Sequence, residues 1–188
     1  MPMTVQNHNQ ATDLKMKASD FTVPIEERYF EDYLPGLVLE CGTITLSETE
    51  IIEFATRFDP QYIHVDPEAA KDGPYGGLIA SGWHTAAVMM RLVVDHYLSK
   101  VASLGSPGND DIRWTRPVRP GDSLWIRIAI LEAKRSISKP DRGVVRALIA
   151  VLNQNQECVM TMTAMNIFRC RRSLDGTGID SNEVAQNG

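Results

Sequence analysis

The sequence predicts an α+β domain in which an antiparallel sheet wraps one long central helix, and three observations carry that expectation. Across residues 83–98, Ala86, Ala87, Val88, Met89, Met90, Leu92, Val93, Val94 and Tyr97 cover most of a helical circumference. A helix that is apolar nearly all round is an enclosed helix. Further on, Leu124, Ile126, Ile128 and Ile130 alternate strictly with Trp125, Arg127 and Ala129, the period of a half-buried strand. Two more strand-like runs follow, 144–152 and 159–168, set off by turn signals such as Pro140-Asp141-Arg142-Gly143. In a chain of 188 residues, strands of that number supply the wrapping the helix needs.

Composition fits one soluble globular domain: 43% hydrophobic and 23% charged residues. The net charge of −5 argues against nucleic acid or an anionic membrane as the main partner. Cys41, Cys158 and Cys170 are widely spaced and odd in number, which fits buried thiols in a reducing compartment. No signal-peptide core opens the chain and no apolar run reaches spanning length, so the expected location is the cytoplasm.

Residues 1–20 are polar and are expected to form a flexible tail, as are residues 173–188 at the other end. Residues 21–33 mix charge with Phe21, Tyr29, Phe30 and Tyr33, a pattern that suits wrapping a core edge. After the Pro35-Gly36 turn, residues 37–45 read as a strand. Ser47-Glu48-Thr49-Glu50 is a capping box, and Ile51, Phe54, Ala55 and Phe58 continue at helical spacing. Pro60 disfavours helical geometry at Asp59, so that helix ends near Phe58. Asp66-Pro67 opens a second short helix with Asp66 as its cap. Gly73-Pro74-Tyr75-Gly76-Gly77 is a loop leading to the long helix. A short strand is expected over 111–115, and Trp83, Met89 and Met90 are assigned to the core.

The chemistry gathers between residues 58 and 91. Asp59 and His64 stand five positions apart in backbone expected to be irregular, and Gly82, eighteen residues after His64, opens the helix. A carboxylate, an imidazole and a helix N-terminal N–H are the parts needed to add or remove water next to a carbonyl. Histidine titrates near neutrality, which suits proton transfer. Without its context, the same pair would read as a solvated loop pair. Asp66 reads as a cap and His84 as a core or interface histidine, while His8 and His96 read as surface. His64 with Asp66 lacks third and fourth ligands at a recognisable spacing, so no metal site is expected. Ser81 lacks the glycines that flank a nucleophile elbow. Arg113, Arg116 and Arg119 recur every third residue, and Arg169, Arg171 and Arg172 cluster; either group offers cations for phosphates, beside the ordinary reading of a solvated surface.

The stretch from Asp59 to His64 resembles the Asp-x-Asn-Pro-x-His signature of MaoC-like dehydratases, the R-specific enoyl-CoA hydratases. Gly76-Gly77-Leu78-Ile79-Ala80-Ser81-Gly82 is similar to that family's entry to its central helix, and Arg116-Pro117-Val118-Arg119-Pro120-Gly121-Asp122 to its strand-opening motif. The resemblance covers roughly residues 25–170 and implies the hot-dog fold for a domain over 21–172. It implies that Asp59 and His64 activate the water that hydrates a trans-2-enoyl-CoA to the (R)-3-hydroxyacyl-CoA, or run the reverse dehydration, in fatty acid metabolism. It implies that the Gly82 N–H meets the thioester oxygen. Gln61 and Ser81 are candidate substrate-binding residues beside it, and the spacing of Arg113, Arg116 and Arg119 makes them candidate contacts to coenzyme A phosphates. It implies a homodimer with no cofactor beyond the coenzyme A of the substrate. Gln61 and Tyr62 stand where the signature has Asn-Pro, and Met90 stands where some members carry a Ser. The rival readings are a hot-dog acyl-CoA thioesterase and a non-catalytic acyl-CoA-binding module. The thioesterase pattern puts an acid on the helix, where this chain offers only Asp95, far from Gly82.

Overall fold

The alternating run around Ile126 becomes the spine of a five-stranded antiparallel sheet in a computed structural model that describes residues 21–171. The two tails expected at 1–20 and 173–188 lie outside the described residues, as do His8 and Arg172. In chain order the main elements are β1 (Val38–Thr45), α1 (Glu48–Phe58), α2 (Tyr62–Val65), α3 (Pro67–Lys71), α4 (Gly82–His96), β2 (Gly108–Trp114), β3 (Ser123–Arg135), β4 (Arg142–Leu152) and β5 (Cys158–Arg169). The strands lie in the order β1-β3-β4-β5-β2, so β1 and β2 are the edges. This is the α+β hot-dog arrangement, with α4 lying on the sheet.

Alternation decides which side of β3 meets the helix. Leu124, Ile126 and Ile128 are fully buried and join Ile149, Val151, Met160 and Met162 of the neighbouring strands in the core. Val88, Met89, Leu92 and Val93 of α4 complete it from the other side. The helix approaches β1 so closely that Gly42 is required there: it has φ +70°, and a Cβ would collide with the end of Leu92. The ladder between β1 and β3 shifts register at this point, between Cys41 and Ile44.

The capping box forms as expected, with the Ser47 side chain accepting from the Glu50 N–H while the Glu50 carboxylate accepts from the Ser47 N–H. Asp66 caps α3 by accepting from the N–H groups of Glu68 and Ala69. Residues 21–33 close one edge of the core as expected. Tyr33 stacks on Phe168 at 4.0 Å between ring centroids, and Phe21 packs edge-on against Tyr33 and Tyr97.

One expectation is corrected. The long helix is not enclosed all round by its own chain: Trp83, Met90 and Val94 are 60%, 43% and 45% exposed, and Ala87 lies between them in the exposed class. Positions 83, 87, 90 and 94 recur at helical spacing along one stripe. An open sheet reaches only one side of a helix, so Trp83 and Met90 leave the core assignment while Met89, at 3% exposure, keeps it.

Candidate active site

The end of α1 and the start of α4 meet at Asp59. The Asp59 N–H donates to the Ala55 carbonyl at 2.8 Å, closing the last turn of α1 where Pro60 forbids another. The chain then turns straight into α2, whose third residue is His64. His64 therefore sits on a one-turn helix; the irregular backbone expected for it is confined to Asp59 and its neighbours.

His64 is buried, and its Nδ1 lies 2.8 Å from the carbonyl of Ile79. A carbonyl only accepts, so Nδ1 carries the hydrogen and the neutral ring leaves its lone pair on Nε2. That Nε2 faces Asp59 Oδ2 at 3.5 Å. In the neutral ring these are two acceptors pointing at one another, and a single water donating one hydrogen to each would satisfy both.

Asp59 is held from both sides. Ser81 Oγ donates to Oδ2 and the Gln61 amide donates to Oδ1, each at 2.7 Å. These two bonds, Ser81 first, hold the carboxyl below the usual carboxylate range; burial opposes them and the nearby imidazole assists. The side chain of Asp59 is 19% exposed and that of His64 7%, so the pair reaches solvent through the carboxylate.

Ser81 is fully buried and is the N-cap of α4, its Oγ accepting from the Trp83 N–H at 3.2 Å. Its peptide continues into Gly82, the first residue of that helix, whose N–H has no acceptor within the helix. The segment before it is fastened to its surroundings: Ile79 N–H donates to the Ile63 carbonyl and Ala80 N–H to the Val118 carbonyl. One short stretch, residues 79–82, thus fixes the tautomer of His64, the charge of Asp59 and a donor at a helix N-terminus.

The remaining expected residues distribute as follows. Gln61 and Ser81, assigned to the substrate, turn their side chains onto Asp59. Arg119 donates to the carbonyl of Tyr75 and braces the glycine-rich loop. Arg116 faces Glu157 at 3.5 Å and Arg113 faces Asp111 at 3.4 Å, both exposed. His84 is buried and stacks on Phe54 at 4.5 Å with nearly parallel rings, and burial lowers its pKa against the pull of Glu50. Met90 is half-exposed and places a thioether where a hydroxyl could have stood. Burial raises the thiol pKa of all three cysteines, Cys41 to about 11, so they stay protonated. Among the described residues no cluster of three or more His, Cys, Asp or Glu side chains could hold a metal ion.

Sequence reasoning missed Trp114. From the end of β2 its indole N–H donates to the Gly82 carbonyl at 2.8 Å, and its ring lies against the Gly82 Cα. A tryptophan at a strand end, followed by Thr115-Arg116-Pro117, carries no sequence signal that separates it from an ordinary surface aromatic.

Comparison with known proteins gives the family of the domain. The profile of the MaoC like domain family matches residues 36–151. The 3-hydroxyacyl-thioester dehydratase Z of Mycobacterium tuberculosis is 34% identical over 109 residues, 57% of this chain and 69% of that protein. Protein MaoC of Klebsiella aerogenes is 32% identical over 117 residues, 62% of this chain, which spans only 33% of that longer protein. Among solved structures, the MaoC-like dehydratase from Rhodospirillum rubrum superposes with a TM-score of 0.72 at 38% identity, covering 77% of this chain and 99% of that one. The R-hydratase PhaJ1 from Pseudomonas aeruginosa superposes with a TM-score of 0.62 at 25% identity, covering 78% and 88%.

Proposed function

This chain belongs to the MaoC-like dehydratase family, and from that premise we propose that it hydrates a trans-2-enoyl-CoA to the (R)-3-hydroxyacyl-CoA, or catalyses the reverse dehydration. One observation carries the proposal: the Asp59 carboxylate and the Nε2 lone pair of His64 face each other at 3.5 Å, beside the unpaired helix N-terminal N–H of Gly82. In this reading a water lies between the two acceptors. Its oxygen attacks Cβ of the enoyl group, and the π electrons move through Cα onto the thioester oxygen, where the Gly82 N–H receives the growing negative charge. His64 takes the water's proton and returns it to Cα on the same face, so hydrogen and hydroxyl add syn. Asp59 accepts the water's second hydrogen and orients it. Its carboxyl is held low by Ser81 and Gln61, so it is a poor store for a proton, which favours His64 over Asp59 as the shuttle.

No metal or redox cofactor takes part in this scheme, and coenzyme A belongs to the substrate. Arg113, Arg116 and Arg119 lie along the segment around Trp114 and are the proposed contacts to its phosphates. A homodimer completes the reading. The apolar stripe through Trp83, Met90 and Val94 and the free edge of β2 are surfaces a second copy would cover, in an isologous contact. Light scattering at micromolar concentration should return twice the chain mass, and a stable monomer would remove the dimer. No helix among the described residues is long and apolar enough to cross a membrane; the cytoplasm is the proposed location.

The test of the activity is a set of crotonyl-, octenoyl- and branched enoyl-CoA assays followed at the enoyl absorbance, with chiral analysis of the product. Loss of the absorbance with formation of the (R)-3-hydroxy product is expected. Release of free coenzyme A from saturated acyl-CoA, with enoyl-CoA left unhydrated, would replace this reading with a thioesterase.

A further inference from the structure

We propose that Trp114 is a positioning residue for the hydration step: it fixes residue Gly82 through its carbonyl and Cα, and its ring is the reason that position 82 is a glycine. The inference rests on the Gly82 N–H acting as the donor to the thioester oxygen. Gly82 is an ordinary helical residue outside the left-handed region, so its backbone does not call for glycine. Helix propensity gives glycine no advantage over alanine there. What excludes a side chain is Trp114. A Cβ on residue 82 would lie 2.7 Å from Trp114 Cε2 and 2.8 Å from its Nε1. The same indole donates to the Gly82 carbonyl at 2.8 Å. Ring and N–H together hold the Gly82 Cα and carbonyl, while the Ser81–Gly82 peptide that carries the Gly82 N–H starts from Ser81, itself anchored on Asp59.

Trp114 has further support. Its ring meets Trp83 edge-on at 5.4 Å, and its strand residue pairs with Met160 in the core strand β5. The indole therefore stands on the sheet and pins the Gly82 Cα and carbonyl, which limits rotation of the adjoining Ser81–Gly82 peptide whose N–H must stay aimed while charge develops. Trp114 touches the residue that carries this donor rather than the reacting atoms, so its loss should weaken the transition state more than the ground state, and the signature is a fall in kcat with KM little changed.

The experiment uses the full chain, crotonyl-CoA as substrate, and circular dichroism to confirm folding. Trp114→Phe keeps a ring but removes the N–H; kcat should fall roughly five- to tenfold, with KM within about twofold of wild type. Gly82→Ala keeps the helical N–H but drives a methyl into the indole, and kcat should fall by on the order of a hundredfold. The double variant Gly82→Ala/Trp114→Ala removes the collision and should recover at least about tenfold over Gly82→Ala, a rescue that loss of a merely structural residue would not produce. The proposal is overturned if Trp114→Phe hydrates at the wild-type rate, or if the double variant is no more active than Gly82→Ala. Should Gly82→Ala fail to fold, the kcat-against-KM split of Trp114→Phe decides alone. A wild type that leaves every enoyl-CoA unhydrated overturns the hydratase reading itself and the role of Trp114 with it.

Discussion

The two ends of α4 each leave backbone groups without intrahelical partners, N–H groups at one and carbonyls at the other, and treat them in opposite ways. At the C-terminal end two carbonyls are occupied, that of Val93 by the N–H groups of Tyr97 and Leu98. The Tyr97 carbonyl accepts from the Tyr33 hydroxyl at 2.9 Å and from the buried Arg28 guanidinium at 3.1 Å, and Phe21, Tyr33 and Phe168 pack edge-on against the Tyr97 ring. The cation also suits the negative pole of the helix. At the N-terminal end the Trp83 N–H is capped by Ser81, but the Gly82 N–H is left without an intrahelical partner, and the Ser81 cap is bonded to Asp59, which faces His64. Satisfaction at one end gives stability, and incompleteness at the other leaves a donor for a ligand. The difference teaches where mutations should act: changes at the N-terminal end should show in turnover, and changes at the C-terminal end in melting.

The sharpest test of that division is at the pair. Asp59→Asn keeps the shape of the side chain and removes its charge; His64→Ala removes the ring. Each should lower kcat on a trans-2-enoyl-CoA by about 10²- to 10⁴-fold, with the melting temperature close to wild type. Both serve one step, so the double variant should lose much less than the product of the single losses. Near-wild-type hydration by either folded variant would dismiss the pair.

Arg28 should give the converse result. Its guanidinium donates to the Val23 and Tyr97 carbonyls and lies 3.8 Å above the Phe21 ring. Arg28→Met removes those bonds from a buried site. The loss should be about 3 kcal/mol, which in a chain of this size lowers the melting temperature by roughly 5–12 °C. Turnover by the protein that remains folded should stay within about twofold. A large loss of kcat at unchanged melting temperature would show that the two ends are coupled.

Much of this was legible in the sequence because it rests on local rules. The Ser47 capping box, the Asp66 cap, the period of β3 and the stop at Pro60 are each fixed by a few adjacent residues, and all four form. The spacing of Asp59, His64 and Gly82 was readable for the same reason. What escaped was set by distant approach. Nothing near Ser81 says that its hydroxyl will reach back to Asp59, and nothing near Trp114 says that its indole will land on Gly82; both contacts depend on how α1, α4 and β2 are brought together. The exposed stripe of Trp83, Met90 and Val94 was misread because hydrophobicity marks a surface to be covered, without saying whether the same chain covers it.

The smallest effect probes the link between the two halves of the site. Ser81 Oγ is the first cause holding the Asp59 carboxyl below its usual range, and Gln61 the second. Removing the hydroxyl should therefore raise the Asp59 pKa toward the ordinary value, because a donor to the charged form is lost. Ser81→Gly is the better variant than Ser81→Ala: glycine caps helices nearly as well as serine, so the cap at Trp83 changes little and the shift reports on the hydroxyl. The sign for stability follows from linkage. A carboxyl whose folded pKa lies below its unfolded one stabilises the fold above the unfolded value, and that contribution disappears as pH falls through the folded value. Ser81→Gly brings the two values together, so the variant should lose part of this pH-dependent stability, and the acid side of kcat/KM should retreat to higher pH as Asp59 takes up a proton and stops accepting from the water. Carboxyl-carbon NMR of Asp59 across the acid range reads the midpoint directly. The expected order, lowest first, is wild type, Gln61→Ala, Ser81→Gly. A midpoint that does not move in Ser81→Gly would mean that the hydroxyl only caps the helix, and that the charge of Asp59 is held by Gln61 and His64 without help from α4.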